Sequence, residues 1–169
     1  MTPSWNANYH VKTTIDDAKK YRYLFECNWS PGGHFVTFIL LHPETCEVTQ
    51  TNPTLRRCIH YAKLWGFDGL KVVHLYALVT TDVESLGTTR DSIGPENNQF
   101  ILYATDHSSA VILAWGDTLT TPLAQSRMRD VYQLVRHQSP HCLKVTSTGN
   151  YPRHPLYLSK SLIPVPYQL

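Results

Sequence analysis

Four apolar runs punctuate the chain, and each stops in a cluster of polar, proline or glycine residues. Phe35-Val36-Thr37-Phe38-Ile39-Leu40-Leu41 ends at His42-Pro43-Glu44-Thr45, and Leu70-Lys71-Val72-Val73-His74-Leu75-Tyr76 runs toward Thr80-Thr81-Asp82. Ala110-Val111-Ile112-Leu113-Ala114-Trp115 ends at Gly116-Asp117, and Leu143-Lys144-Val145-Thr146 leads into Thr148-Gly149-Asn150-Tyr151-Pro152-Arg153-His154-Pro155. Short runs that are apolar nearly throughout fit strands covered on both faces.

Helix-period segments separate these runs. Asn52-Pro53 pairs a good N-cap with a proline at the tolerated first position, and Cys58, Tyr61, Ala62 and Trp65 follow at helical spacing before Gly66. Thr80 to Gly94 reads as a loop with a short helix near Val83-Glu84-Ser85-Leu86. Pro95-Glu96 opens a helix with Phe100, Ile101, Tyr103 and Ala104 as its apolar side. Pro122 opens another, with Leu123, Met128, Val131, Leu134 and Val135 on one face.

This alternation predicts an α/β fold of three layers, with a mostly parallel four-stranded central sheet and flanking helices. Tyr21 to Trp29 alternates weakly and precedes the turn Ser30-Pro31-Gly32-Gly33, so an N-terminal β-hairpin is expected to feed the first core strand. The 169 residues suit a single domain over 1–169, with a core at about 21–158 and an extended tail at 159–169. In open sheets of this kind, ligands sit outside the carboxyl ends of the strands. The four polar clusters are therefore expected to share one rim.

Composition narrows the classes. No apolar run approaches the roughly 20 residues of a membrane helix, and Met1-Thr2-Pro3-Ser4-Trp5-Asn6 lacks the basic and apolar regions of a signal peptide. A cytoplasmic location, in a bacterium or in a host cell, is expected, with no membrane partner. Cys27, Cys46, Cys58 and Cys142 include no Cys-x-x-Cys pair, so free thiols are expected and neither a metal nor another cofactor is implied. Lys and Arg number 15 against 13 Asp and Glu, and the cations are scattered. Such balance argues against a long duplex footprint but admits a nucleotide, a nucleobase or a short single-stranded or flipped-base DNA.

The rim clusters supply the candidate chemistry. His42 follows the first strand directly and can exchange a proton near neutral pH, with Glu44 as a base or a hold on a ribose hydroxyl. A turn residue with a satisfied side chain is the plainer reading of His42. Asn52, Arg56 and Arg57 open a helix whose free N–H groups favour an anion, although either arginine reads equally as solvated. His74 interrupts an apolar strand near its carboxyl end, where a hydrogen-bonded structural role competes with a functional one. Glu96, Asn97 and Asn98 follow Gly94-Pro95, and an amide presents a donor and an acceptor together, as base-edge recognition requires. Arg153 and His154 stand between Pro152 and Pro155, which fix the backbone around a cation and an imidazole. That pairing suits a ligand on which negative charge develops.

Four strings carry a resemblance: Asn52-Pro53-Thr54-Leu55-Arg56-Arg57-Cys58, Gly94-Pro95-Glu96-Asn97, Ala114-Trp115-Gly116 and Pro152-Arg153-His154-Pro155-Leu156-Tyr157-Leu158. They resemble the domain-of-unknown-function family 1643, of bacterial and phage proteins. The order of motifs is also distantly similar to the uracil-DNA glycosylase superfamily. That similarity implies a water-orienting loop at Leu41-His42-Pro43, a base-reading position at His74 and a charge-stabilising histidine at His154-Pro155. The related family carries Asn where this chain has His42 and His74, and an imidazole does not reproduce the way an amide pairs with a pyrimidine edge.

The expected function is a glycosylase-like hydrolase acting at a nucleobase or nucleotide, by N-glycosidic hydrolysis or a related base modification. His42, Glu44 and His154 would be catalytic. His74, Asn52, Arg56, Arg57, Glu96, Asn97, Asn98 and Arg153 would bind substrate. The alternative is a module that binds a nucleotide or modified base without turnover.

Overall fold

A computed structural model describes residues 5–169. In chain order the strands are β1 (His10–Ile15), β2 (Arg22–Asn28), β3 (Phe35–Leu40), β4 (Gly69–His74), β5 (Ala110–Leu113), β6 (His141–Cys142) and β7 (Val165–Pro166). The helices are α1 (Pro53–Leu64), α2 (Val83–Leu86), α3 (Asn97–Asp106) and α4 (Pro122–Val135). The strands form a mixed sheet in the order β1-β2-β4-β3-β5-β6-β7.

The sheet has seven strands rather than the expected four. Its parallel part is β4-β3-β5-β6, with Leu40 opposite His74 and Ile39 opposite Leu113. The N-terminal hairpin also differs from expectation. Ser30 to Gly33 does not fold β2 back onto β3, because β4 lies between them. β2 instead pairs with β1 on one side and β4 on the other, both antiparallel. Gly69 admits this arrangement: a Cβ there would collide with the Phe35 ring and would lie 2.7 Å from the Cys27 carbonyl oxygen. Asp68 fixes the crossing, since its backbone carbonyl accepts from Trp29 N–H at 3.0 Å and its carboxylate accepts from His34 N–H at 3.0 Å and from the Ser30 hydroxyl.

The fourth parallel strand is shorter and earlier than Leu143 to Thr146, because Val145 bridges Pro152 instead of extending it. The C-terminal residues run extended, and Val165–Pro166 pairs antiparallel with β6.

Both long-helix starts follow the local rules. Asn52 Oδ1 accepts from Leu55 N–H at 2.8 Å, and Thr121 Oγ1 accepts from Ala124 N–H at 3.2 Å, each just ahead of a proline. Period-two alternation divides the strands between two cores. Val36, Phe38, Leu70 and Val72 pack with Leu55, Cys58, Tyr61 and Ala62 of α1. Ile39, Val73, Val111 and Leu113 pack with Ile101 and Ala104 of α3 and Met128 and Val131 of α4. On α3 the buried side includes Asn97 and Thr105, while Tyr103 is 45 % exposed, contrary to its place in the expected apolar face.

Polar side chains of α1 and its C-cap grip the segment after Pro155. Arg57 Nη1 donates to the Leu158 carbonyl at 2.6 Å, Tyr61 Oη to Ser159 at 2.6 Å, His60 Nε2 to Lys160 at 2.8 Å and Trp65 Nε1 to Leu162 at 3.0 Å. Four otherwise orphaned carbonyls are thereby satisfied, and the chain leading away from His154 is pinned to the helix.

Candidate functional site at the carboxyl rim

The parallel strands end where the polar clusters begin. Past β3 and β4 the ladder continues for two bonds, from Leu75 N–H to Leu40 O at 2.9 Å and from Tyr76 N–H to Leu41 O at 3.0 Å. His42 therefore follows directly on a backbone paired to the β4 extension through Leu41. The loop after it is held from β2, where Arg22 Nη1 donates to the Thr45 carbonyl at 3.0 Å.

The His154 loop is fixed just as firmly. Gly116 N–H donates to Pro152 O at 2.8 Å, and Arg153 N–H donates to Lys144 O at 2.8 Å. Gly116 has φ +73°, the left-handed region in which only glycine is unstrained, and a Cβ on it would stand 3.5 Å from His154 Cβ. The third strand's Ala114-Trp115-Gly116 ending thus forms the floor under His154.

His42, Glu44 and His154 lie within electrostatic reach of one another. Burial holds the His42 imidazole below its usual range; the Pro43 carbonyl and Glu44 oppose this, and Arg22 adds to it. Burial does the same at His154, with Glu44 opposing and His42 adding. Both rings are therefore neutral at physiological pH.

Backbone contacts also set which nitrogen carries the proton. The Pro43 carbonyl can only accept, so His42 Nδ1–H donates to it at 3.2 Å and Nε2 is left as an acceptor. At His154 the Leu156 N–H donates to Nδ1 at 3.2 Å, so the neutral ring carries its proton on Nε2. One imidazole offers a lone pair and the other offers a proton.

His74 is 1 % exposed, and its Nδ1 has no hydrogen-bond partner. Burial pushes its pKa well below the usual 6.5, and the charges of Arg22 and His42 push the same way. Arg22 itself is 4 % exposed with an unpartnered Nε, and burial lowers its pKa to about 10. Arg22 is a neighbour of these histidines that the sequence reading does not single out. Its signal was a lone cation within a run of aromatic and apolar residues, Tyr21-Arg22-Tyr23-Leu24-Phe25.

The remaining candidates separate from this group. Asn52 spends its side chain on the α1 cap. Arg57 spends its guanidinium on the Leu158 and Pro155 carbonyls, the latter at 3.5 Å, which makes it a support of the His154 loop. Arg56, its neighbour, points into a different pocket, with Trp5, Tyr9 and His60. Asn97 is fully buried and donates to the His74 and Leu75 carbonyls at 2.9 and 3.2 Å. Glu96 and Asn98 are exposed on the first turn of α3, and Arg153 is half-buried beside His154 in sequence.

On the other side of β4, Tyr76 and Arg127 form a second polar group. Arg127 Nε donates to Leu75 O at 2.8 Å, while its Nη2 and the Tyr76 hydroxyl have no partner. Burial lowers Arg127 to about 10, opposed by Tyr76 and Asp130. The cavity beside them measures about 10 Å³, room for a single water.

Among the described residues no three His, Cys, Asp or Glu side chains are grouped to hold a metal ion. Cys27, Cys58 and Cys142 are buried free thiols, and Cys46 is half-buried and free. No described helix is long and apolar enough to cross a membrane. No curated protein and no solved structure matches the chain. A family model described as "Protein of unknown function (DUF1643)" matches residues 22–156, a span that begins at Arg22 and takes in both rim histidines, and the chain belongs to that family.

Proposed function

We propose that the rim hydrolyses an N-glycosidic bond, releasing a nucleobase from a nucleotide or from a short single-stranded or flipped stretch of DNA. The observation that carries this reading is the pair of neutral imidazoles with opposite hydrogen-bonding roles, within electrostatic reach of each other past the carboxyl ends of the parallel strands. Water bound at His42 Nε2 attacks C1′ of the sugar and gives its proton to that nitrogen. The C1′–N bond breaks, and its electron pair leaves with the base. His154 Nε2–H donates to the base as negative charge grows on it, as a neutral electrophile rather than a cation. Glu44 faces the positive charge that develops on the sugar. Arg22 orients the His42 loop through Thr45, and its charge adds to the burial that holds the His42 and His74 imidazoles below their usual range.

The proposal includes a fold relationship to the uracil-DNA glycosylase superfamily, supported by the three-layer packing of α1 against one sheet face and α3 and α4 against the other. It does not include uracil as the particular base, because His42 and His74 replace the amides that would read it.

The test is release of free base, or formation of abasic sites, from deaminated and modified nucleotides and DNA. His154→Ala should lower the rate about 10²–10⁴-fold, the usual worth of a positioned proton donor. An unaltered rate removes His154 from the mechanism. Retention of a nucleotide with no base released by the wild type favours the binding module over the enzyme.

A further inference from the structure

A second surface lies outside the rim, on the outward side of α1. Arg56, Ile59, His60 and Lys63 recur at intervals of three and four residues and line one stripe of the helix. Trp5 and Tyr9 form the opposite wall of a pocket of about 390 Å³. Helix α1, Pro-Thr-Leu-Arg-Arg-Cys-Ile-His-Tyr-Ala-Lys-Leu, contains no acidic residue, and none lines the pocket among the described residues.

The cations are placed for different contacts. Arg56 is exposed, and its guanidinium makes no hydrogen bond or ion pair among the described residues. Lys63 Nζ donates to the Tyr9 hydroxyl at the ring's edge, 4.7 Å from the Tyr9 centroid, and lies 5.4 Å from the Trp29 centroid. Trp5 and Tyr9 are in contact, with ring centroids 5.7 Å apart. Cations interleaved with aromatic rings, without a counter-charge, match a polymer that alternates phosphates and bases.

The surface also begins where the rim ends. Thr51, in the pocket's lining, immediately precedes the α1 cap, and Trp5 Nε1 donates to the Val48 carbonyl on the loop that carries His42 and Glu44. From Arg56 to Lys63 the helix advances about 10 Å.

We infer that this stripe is a track for single-stranded DNA, holding the phosphates that flank the base presented to His42 and His154. The inference rests on the proposed glycosidic reaction and deepens it, because a free nucleotide would have no use for the track. Arg56 takes a phosphate, Lys63 takes another beside the Tyr9 hydroxyl, and Trp5 and Tyr9 together offer one apolar wall to a base.

Equilibrium binding of fluorescent eight-nucleotide oligothymidylate, followed by anisotropy across a salt series, tests the track. The strand should bind the wild type at least about tenfold more tightly than thymidine monophosphate, because several phosphates then contribute. Arg56→Glu should lower strand affinity about tenfold and reduce the salt slope by about 1, and Lys63→Met should reduce the slope by a similar amount. Unchanged strand affinity in Arg56→Glu overturns the track. So does equal affinity for a polyglutamate peptide of the same charge, or tighter binding of the matching RNA strand.

The outcomes separate the two proposals. Base release that depends on His154, with strand binding indifferent to Arg56, leaves the rim and removes the track. Strand binding that depends on Arg56, with no base released from any substrate, leaves the track and removes the rim reaction.

Discussion

Two buried arginines flank the end of β4, and their surroundings differ in one respect. Arg22 sits beside His42, His74 and Glu44, where the rings of His42 and His154 remain half-buried. Arg127 sits beside Tyr76 and Asp130, next to a space of about 10 Å³. Each guanidinium holds a backbone carbonyl, Thr45 for Arg22 and Leu75 for Arg127, and burial brings each to about the same pKa. A buried cation with spare donors is thus not itself a mark of chemistry. What distinguishes the Arg22 side is that two half-buried imidazoles, His42 and His154, lie near the cation, whereas Arg127 has only Tyr76 and Asp130.

The sharpest way to break this comparison is through function on one side and stability on the other. His154→Ala, which costs base release as above, should leave the unfolding free energy within about 1 kcal/mol of wild type, because only the Leu156 N–H loses a partner. Arg127→Ala should do the reverse, lowering stability by about 1–3 kcal/mol in urea unfolding without changing the rate per folded molecule. A loss of turnover in folded Arg127→Ala would make the two sides functionally equivalent.

His74 gives a pH signature that Arg127 does not. Its pKa lies well below 6.5 in the folded protein, so between that depressed value and 6.5 the unfolded chain binds more protons. The stability it contributes is present above pH 6.5 and is lost as the pH falls from there. His74→Gln should flatten the acid limb of a stability–pH curve measured by denaturant titration. An unchanged slope would assign acid sensitivity to other groups.

The smallest effect is expected at Tyr76. Its hydroxyl is buried without a partner, so Tyr76→Phe should be neutral or stabilising by a few tenths of a kcal/mol. A cost above ~1 kcal/mol would show that a water in the small cavity joins Tyr76 to Arg127.

Much of this arrangement was legible in the residues. Asn52-Pro53 and Pro122 signalled their helices through local chemistry alone, and the apolar runs located the parallel strands. Strand order was not legible, because a glycine-containing turn between β2 and β3 reads as a hairpin whether or not another strand lies between them. The clearance that Gly69 gives β4 is visible only in three dimensions. The convergence of His42 and His154 followed from the rule that parallel strands end on one side. Asn97 showed the limit of that rule. An amide at a helix start looks available for a ligand, yet here it satisfies two carbonyls at the end of β4. Arg22 escaped notice because β2 is antiparallel to β4, so the beginning of one strand meets the end of the other, where the rule directs no attention.

The clamp from α1 onto the chain beyond Pro155 has one consequence for recognition. With Pro152 tied to Gly116 and Leu158 to Arg57, the imidazole between them stands on a wall that does not yield to its visitor. Little freedom is surrendered when a guest arrives, and a guest of the wrong outline meets refusal in place of accommodation.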